Sequence, residues 1–159
     1  MALLVLPRHE YLVREVRKSV ARIRLLADGD VAPAIATAKP DAGIDMLLGT
    51  GGSSQGILTA AAIRCTGGDM QARLRPRTED EARRLRDVGI EDVGKKLTLE
   101  EMAGGSVMFA ATGVTNGDLV RGVRFFKGGA TTNSVVMRSR THTLRFIEAV
   151  HRFDLKPEY

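Results

Sequence analysis

The sequence is poor in aromatic side chains: 4% of its 159 residues are aromatic, and none is tryptophan. Proteins that hold single-stranded nucleic acid stack its bases on aromatic side chains. The scarcity therefore argues against nucleic acid as a partner, although the net charge is +5. The positive excess fits a cleft that attracts phosphate groups.

Cysteine is represented by Cys65 alone. One cysteine excludes an intrachain disulfide and a CxxC metal motif, so we expect a buried thiol in a reducing compartment. No apolar run approaches the ~20 residues of a membrane-spanning helix, and the apolar start at residues 1–6 is too short for a signal peptide. These absences predict a cytoplasmic protein, and the length predicts one domain over residues 1–159.

Short apolar runs alternate with helix-like segments in the first half of the chain. The runs are 3–6, 23–26 and 44–48, and the helix-like segments that follow them are 10–20, 31–38 and 53–65. Strand–helix alternation with short connections is typical of a parallel sheet. We predict an α/β fold with a parallel or mixed sheet and flanking helices in the first half.

The pattern changes from Met70 onward. We expect a strand at 70–74, a charged helix capped by Thr78, a short helical turn at 97–102 and a strand at 107–111. Apolar and polar residues then alternate over 132–138 and 143–150. This alternation predicts an antiparallel hairpin at the C-terminus.

Two glycine-containing turns lie between predicted strands and predicted helices. One is the segment 49–56, which reads Gly-Thr-Gly-Gly-Ser-Ser-Gln-Gly, and the other contains Asp28, Gly29 and Asp30. Free backbone N–H groups and the helix dipole favour phosphate at such places, so the turns indicate a phosphorylated ligand. The plainer alternatives stay open, because glycine also permits tight turns and Asp28 can simply cap a helix.

Six segments, in this order, resemble the C-terminal half of class II fructose-1,6-bisphosphatases. They are Pro-Arg-His-Glu at 7–10, Asp-Gly-Asp-Val-Ala at 28–32, Leu-Gly-Thr-Gly-Gly-Ser-Ser-Gln-Gly at 48–56, and the stretches 65–74, 109–118 and 128–139. Together they cover most of the chain. The resemblance implies a sugar-phosphatase-like C-terminal domain.

The resemblance also implies an activity and a set of site residues. The activity is hydrolysis of the C1 phosphate of fructose 1,6-bisphosphate in gluconeogenesis, with Mn²⁺ or Mg²⁺ as the cofactor. The substrate contacts that it assigns to this chain are Pro7, Arg8, Asp28, Gly29, Asp30 and Gly52. Most acidic metal ligands belong to a preceding half of the family's proteins, and one further ligand falls on Gln55. No catalytic residue is assigned.

Two positions depart from the family's pattern. Gln55 replaces a glutamate, and its uncharged amide oxygen holds a hard divalent cation less tightly than a carboxylate does. Leu6 replaces a basic residue, which removes a positive charge facing a phosphate. Since the N-terminal metal-binding domain is also missing from the sequence, we expect the isolated chain to be inactive as a phosphatase.

Two functions remain open at this stage. The chain could supply the sugar-phosphate contacts of a fructose-bisphosphatase, or it could be a non-catalytic module that binds sugar phosphates or a protein partner. In either case we expect a sugar bisphosphate as ligand, and either a homo-oligomer or a separate chain carrying the N-terminal half. His9 is expected to be a structural hydrogen-bonding residue rather than a general base.

Overall fold

The computed structural model describes residues 1–4, 6–19, 21–26, 29, 31–38 and 42–155, without the side chains of Leu4 and Arg8. In its first half, strands and helices alternate as the sequence predicts. They are β1 (Ala2–Leu4), α1 (Glu10–Lys18), β2 (Arg24–Leu26), α2 (Val31–Thr37), β3 (Leu47–Leu48) and α3 (Ser53–Thr66), with a 3₁₀ turn at Pro7–His9.

The three strands form a parallel sheet in the order β2-β1-β3. Leu3 on the central strand pairs with Leu25 on one side and with Leu48 on the other. Leu3 is fully buried, as is typical of the central strand of a parallel sheet. The predicted parallel sheet is confirmed.

Helix α3 ends at Thr66 and is followed directly by Gly67. Gly67 adopts a left-handed conformation with φ of 80°, and its N–H donates to the carbonyl oxygen of Ile63. Glycine takes this conformation without the steric cost of a Cβ atom. The chain can therefore reverse at the end of α3 and enter the second half.

The second half is built mainly of antiparallel strands. Its elements are β4 (Gln71–Ala72), α4 (Glu79–Asp87), β5 (Leu97–Thr98), α5 (Leu99–Met102), β6 (Met108–Thr112), β7 (Arg124–Phe126), β8 (Gly129–Arg138) and β9 (Thr143–Arg152), followed by a 3₁₀ turn at Phe153–Leu155. Strands β4 and β5 pair with each other, and β8 pairs with β6, β7 and β9.

The predicted hairpin is confirmed, since β8 and β9 pair in register from Gly129 with Arg152 to Arg138 with Thr143. It is longer than the alternation suggests. Strand β7, which sequence analysis missed, pairs with the start of β8 across a tight turn, and Gly128 in that turn has φ of 80°. Three residues are too few to show a period of two.

One hydrophobic core joins the two halves. Its buried members come from α2, α3, β6 and β8: Ile35, Ala62, Cys65, Phe109, Val135 and Met137. Cys65 is buried as expected, and that burial raises the pKa of its thiol. Among the described helices, none is both long and apolar enough to cross a membrane.

Candidate functional site

The parallel sheet has a topological switch point between β1 and β3. The chain leaves β1 for β2 on one side and then crosses back to β3 on the other. In open α/β sheets, ligands bind outside the carboxyl ends of the strands at such a point. Here two turns lie at that point, one over residues 6–9 after β1 and one over residues 49–52 after β3. We call these the β1 turn and the β3 turn.

His9 joins the β1 turn to the β3 turn. Its side chain is 2% exposed, and the backbone N–H of Thr50 donates to its Nε2 at 2.8 Å. Pro7 begins the 3₁₀ turn that carries His9, and the N–H of His9 donates to the carbonyl oxygen of Leu6 at 2.8 Å. The predicted structural role of His9 is thereby confirmed, and the segments that contain Pro7 and Gly52 lie at one edge of the sheet.

The β3 turn leads directly into α3, and residues 49–55 are all exposed. The N–H groups of Ser53, Ser54 and Gln55 belong to the first turn of the helix, where no intrahelical acceptor exists. With the dipole of a 14-residue helix behind them, these groups can receive an anion. The arrangement fits the phosphate-binding interpretation.

The backbone conformation at position 52 does not require a glycine. Its φ of −69° and ψ of 151° are extended values that any residue adopts. A Cβ atom there would meet Oε1 of Gln55 at 3.5 Å, an ordinary contact. The tight-turn explanation therefore does not apply to Gly52, whereas close approach of a ligand to the backbone would favour glycine.

Gln55 acts as a helix cap in this structure. Its Oε1 accepts a hydrogen bond from the N–H of Gly52 at 3.2 Å, which satisfies one of the donors at the start of α3. That oxygen is uncharged, and within the described residues no three His, Cys, Asp or Glu side chains lie close enough to hold a metal ion. The described donor set does not fit a divalent metal site, and Gln55 as a ligand stays a prediction.

The structure describes only some of the remaining predicted site residues. Asp28, Asp30 and the side chain of Arg8 lie outside the described residues. Gly29 is exposed and has φ of 75°, so the turn after β2 requires a residue that tolerates the left-handed region. Because β2 is parallel to β1, Gly29 follows the same edge of the sheet as the other two turns.

Among the described carboxyl groups, the two whose pKa is clearly lowered lie away from this edge. The ammonium group of Lys95 and the N–H and hydroxyl of Thr98 lower the pKa of Glu101 to about 2. The guanidinium of Arg64 likewise lowers the pKa of Glu100. These shifts belong to ion pairs and a helix cap around α5.

The hydrogen bond between the two turns is the feature that the sequence does not predict. His9 and Thr50 are 41 residues apart, and no local pattern pairs them. The available signal was a histidine in a proline-led turn directly after a strand, which suggests a hydrogen bond but leaves its partner unknown.

Comparison with known proteins identifies the family. Residues 1–151 match the family described as bacterial fructose-1,6-bisphosphatase, glpX-encoded. The D-fructose 1,6-bisphosphatase class 2/sedoheptulose 1,7-bisphosphatase of Synechococcus sp. (strain JA-3-3Ab) is 42% identical over 160 residues, and that of Trichodesmium erythraeum (strain IMS101) is 43% identical over the same length. Each alignment covers 92% of this chain and 46% of the relative, so the chain spans about half the length of the curated relatives it matches. The chain belongs to the glpX-encoded bacterial fructose-1,6-bisphosphatase family.

Proposed function

We propose that this chain forms the sugar-bisphosphate-binding part of a cytoplasmic, metal-dependent fructose-1,6-bisphosphatase. The observation that carries the proposal is the hydrogen bond that the N–H of Thr50 donates to the buried side chain of His9. It joins the two turns at the switch point, where α/β sheets bind ligands. Family membership supports the same substrate, since the matched relatives are named as fructose and sedoheptulose bisphosphatases.

Each proposed contact has a chemical reason. The exposed amide N–H groups at the start of α3 can bind one phosphate group, and the absence of a side chain at Gly52 lets the phosphate approach them. Arg8 in the β1 turn adds a positive charge that can donate to phosphate oxygens. Asp28 and Asp30 offer carboxylates that accept hydrogen bonds from sugar hydroxyls. Pro7 and Gly29 hold the backbones of their turns.

The rest of the family's length is the partner that we propose for catalysis. It would carry the acidic ligands for Mn²⁺ or Mg²⁺, either on the same polypeptide or on another. The antiparallel sheet offers a surface for it, because within the described residues β9 pairs with β8 alone. Phe146 and Val150 on β9 are 60% and 65% exposed, and exposed apolar groups on an edge strand favour association.

The association can be measured directly. Because the isolated chain leaves this surface uncovered, we expect it to self-associate there. Light scattering coupled to size exclusion should show that association, and Phe146→Ser should reduce it. Arg145→Ser, on the same strand but on the opposite face of the sheet, is the control. A monomer at high concentration would contradict the proposed surface.

A non-catalytic sugar-phosphate-binding module is the second candidate. The observation that favours it is the capping role of Gln55, whose side-chain oxygen already accepts a hydrogen bond from Gly52. Leu6 in place of a basic residue points the same way. Under this alternative the ligand would bind but would not be hydrolysed, even with the other half of the family's length present.

Calorimetric titration with fructose 1,6-bisphosphate tests the binding that both candidates share. We expect binding by the isolated chain, with the same affinity in the presence and absence of Mn²⁺. Gly52→Ala should weaken it about tenfold by blocking close approach of the ligand. The control is Gly56→Ala in the same helix, where an added Cβ has nothing within 4 Å. Absence of binding in both metal conditions would contradict the proposal.

A further inference from the structure

The pairing of β1 with β3 ends before the two turns begin. Within the described residues it comprises two residue pairs, Ala2 with Leu47 and Leu3 with Leu48. Beyond Leu48 the sheet no longer fixes the distance between the β1 turn and the β3 turn. The hydrogen bond from Thr50 to His9 lies just past that last pair, so it continues the connection into the turns.

The bond is suited to hold this distance because its histidine is buried. His9 is 2% exposed, and its Nε2 is occupied by the N–H of Thr50 at 2.8 Å. Burial of the imidazole limits the access of water to Nε2, so the N–H of Thr50 is not readily replaced there. A buried side chain in this position does not reach a ligand. It instead fixes the β1 turn and the β3 turn, which are exposed to one.

We propose that His9 is a positioning residue for the bisphosphate ligand. By accepting the N–H of Thr50, it sets the separation of the β1 turn from the β3 turn so that both can contact one ligand at once. This inference rests on the proposed function for the identity of the ligand. It assigns His9 no contact with the substrate and no proton transfer.

Two amide substitutions separate this role from simple filling of space. In glutamine, Oε1 is as many bonds from Cβ as Nε2 is in histidine, so His9→Gln keeps an acceptor for Thr50. In asparagine the oxygen corresponds to the Nδ1 position and falls short. We expect His9→Asn to raise the Kd for fructose 1,6-bisphosphate about tenfold, as the loss of one hydrogen bond would, and His9→Gln to stay within about threefold of the wild type.

Amide hydrogen exchange at Thr50 gives a second readout that needs no ligand. Exchange should accelerate in His9→Asn and remain slow in His9→Gln, because only the latter retains the acceptor. If the unsubstituted chain fails to bind fructose 1,6-bisphosphate, the proposed function fails, while the exchange result still reports whether His9 holds the β3 turn. The two failures are therefore distinguishable.

Three results would overturn the inference. Both variants binding as tightly as the wild type would show that the bond is not needed, and both losing binding equally would show a packing role only.

Should neither variant fold, the unsubstituted chain can be titrated while the ¹⁵N resonances of Thr50 and of His9 Nε2 are followed. We expect both to shift with the ligand, and unchanged resonances under saturating ligand would overturn the proposal.

Discussion

The substitution Met137→Ala probes the core that joins the parallel and antiparallel halves. Met137 is fully buried on β8, and it pairs with Phe109 on β6 and with Leu144 on β9. The core residues that α3 contributes are small, Ala62 and Cys65. They cannot expand into the space of a lost methionine, so a cavity should remain.

The magnitude follows from this packing. Replacing a buried methionine by alanine costs about 2–5 kcal/mol, and the cost rises with the volume of the cavity left behind. For a chain of 159 residues, each kcal/mol lowers the melting temperature by roughly 2–4 °C. We therefore expect a decrease of about 4–20 °C.

The assay is thermal unfolding, followed by far-ultraviolet circular dichroism and by calorimetry. Met108→Ala is the matched control, because Met108 lies on the adjacent strand β6 and is 70% exposed. Its effect should stay within about 0.5 kcal/mol. A single cooperative transition in both variants is expected if residues 1–159 form one domain. A decrease for Met137→Ala no larger than for Met108→Ala, or two separate transitions, would refute this reasoning.

Two further predictions concern helix caps. Gln55→Glu should leave the free energy of unfolding unchanged or raise it by about 0.3–1 kcal/mol, since a carboxylate can make the same cap and suits the helix dipole. A lower free energy of unfolding, measured by chemical denaturation, would contradict the capping role. Glu101 has a pKa of about 2 in the folded chain, below its ordinary value of 4.5, so its contribution to stability is complete above about pH 4.5 and disappears as the pH falls toward 2. Glu101→Gln should therefore flatten the dependence of the melting temperature on pH over that interval, and an unchanged slope would count against the ion pair with Lys95.

Local pattern was enough to predict the helices of the first half. Segment 53–65 has helix-forming composition between two glycine groups, and the helix spans Ser53–Thr66. The spacing of apolar residues over 10–20 predicts a helix, and the structure has one at Glu10–Lys18. These features depend on side chains that are close in sequence, so periodicity and capping residues contain the information.

Sheet order and the contact between the turns required long-range information. That β1 lies between β2 and β3 depends on pairing between segments that are far apart in the sequence, and no local pattern in β1 predicts it. The same holds for His9 and Thr50, whose bond is possible only after β1 and β3 have paired. The cap made by Gln55 was within reach of sequence analysis, because an acceptor three residues after a helix start is a known capping pattern.

The most direct test of the account is where fructose 1,6-bisphosphate binds. A titration of the isotopically labelled chain, followed through its backbone amide resonances, locates the ligand without any substitution. We expect the largest shifts in residues 6–9 and 49–55, the β1 turn, the β3 turn and the start of α3. Shifts centred instead on the cleft lined by Arg64, Arg140 and His142, or no shifts at millimolar ligand, would contradict the claim that the switch-point edge binds the sugar bisphosphate.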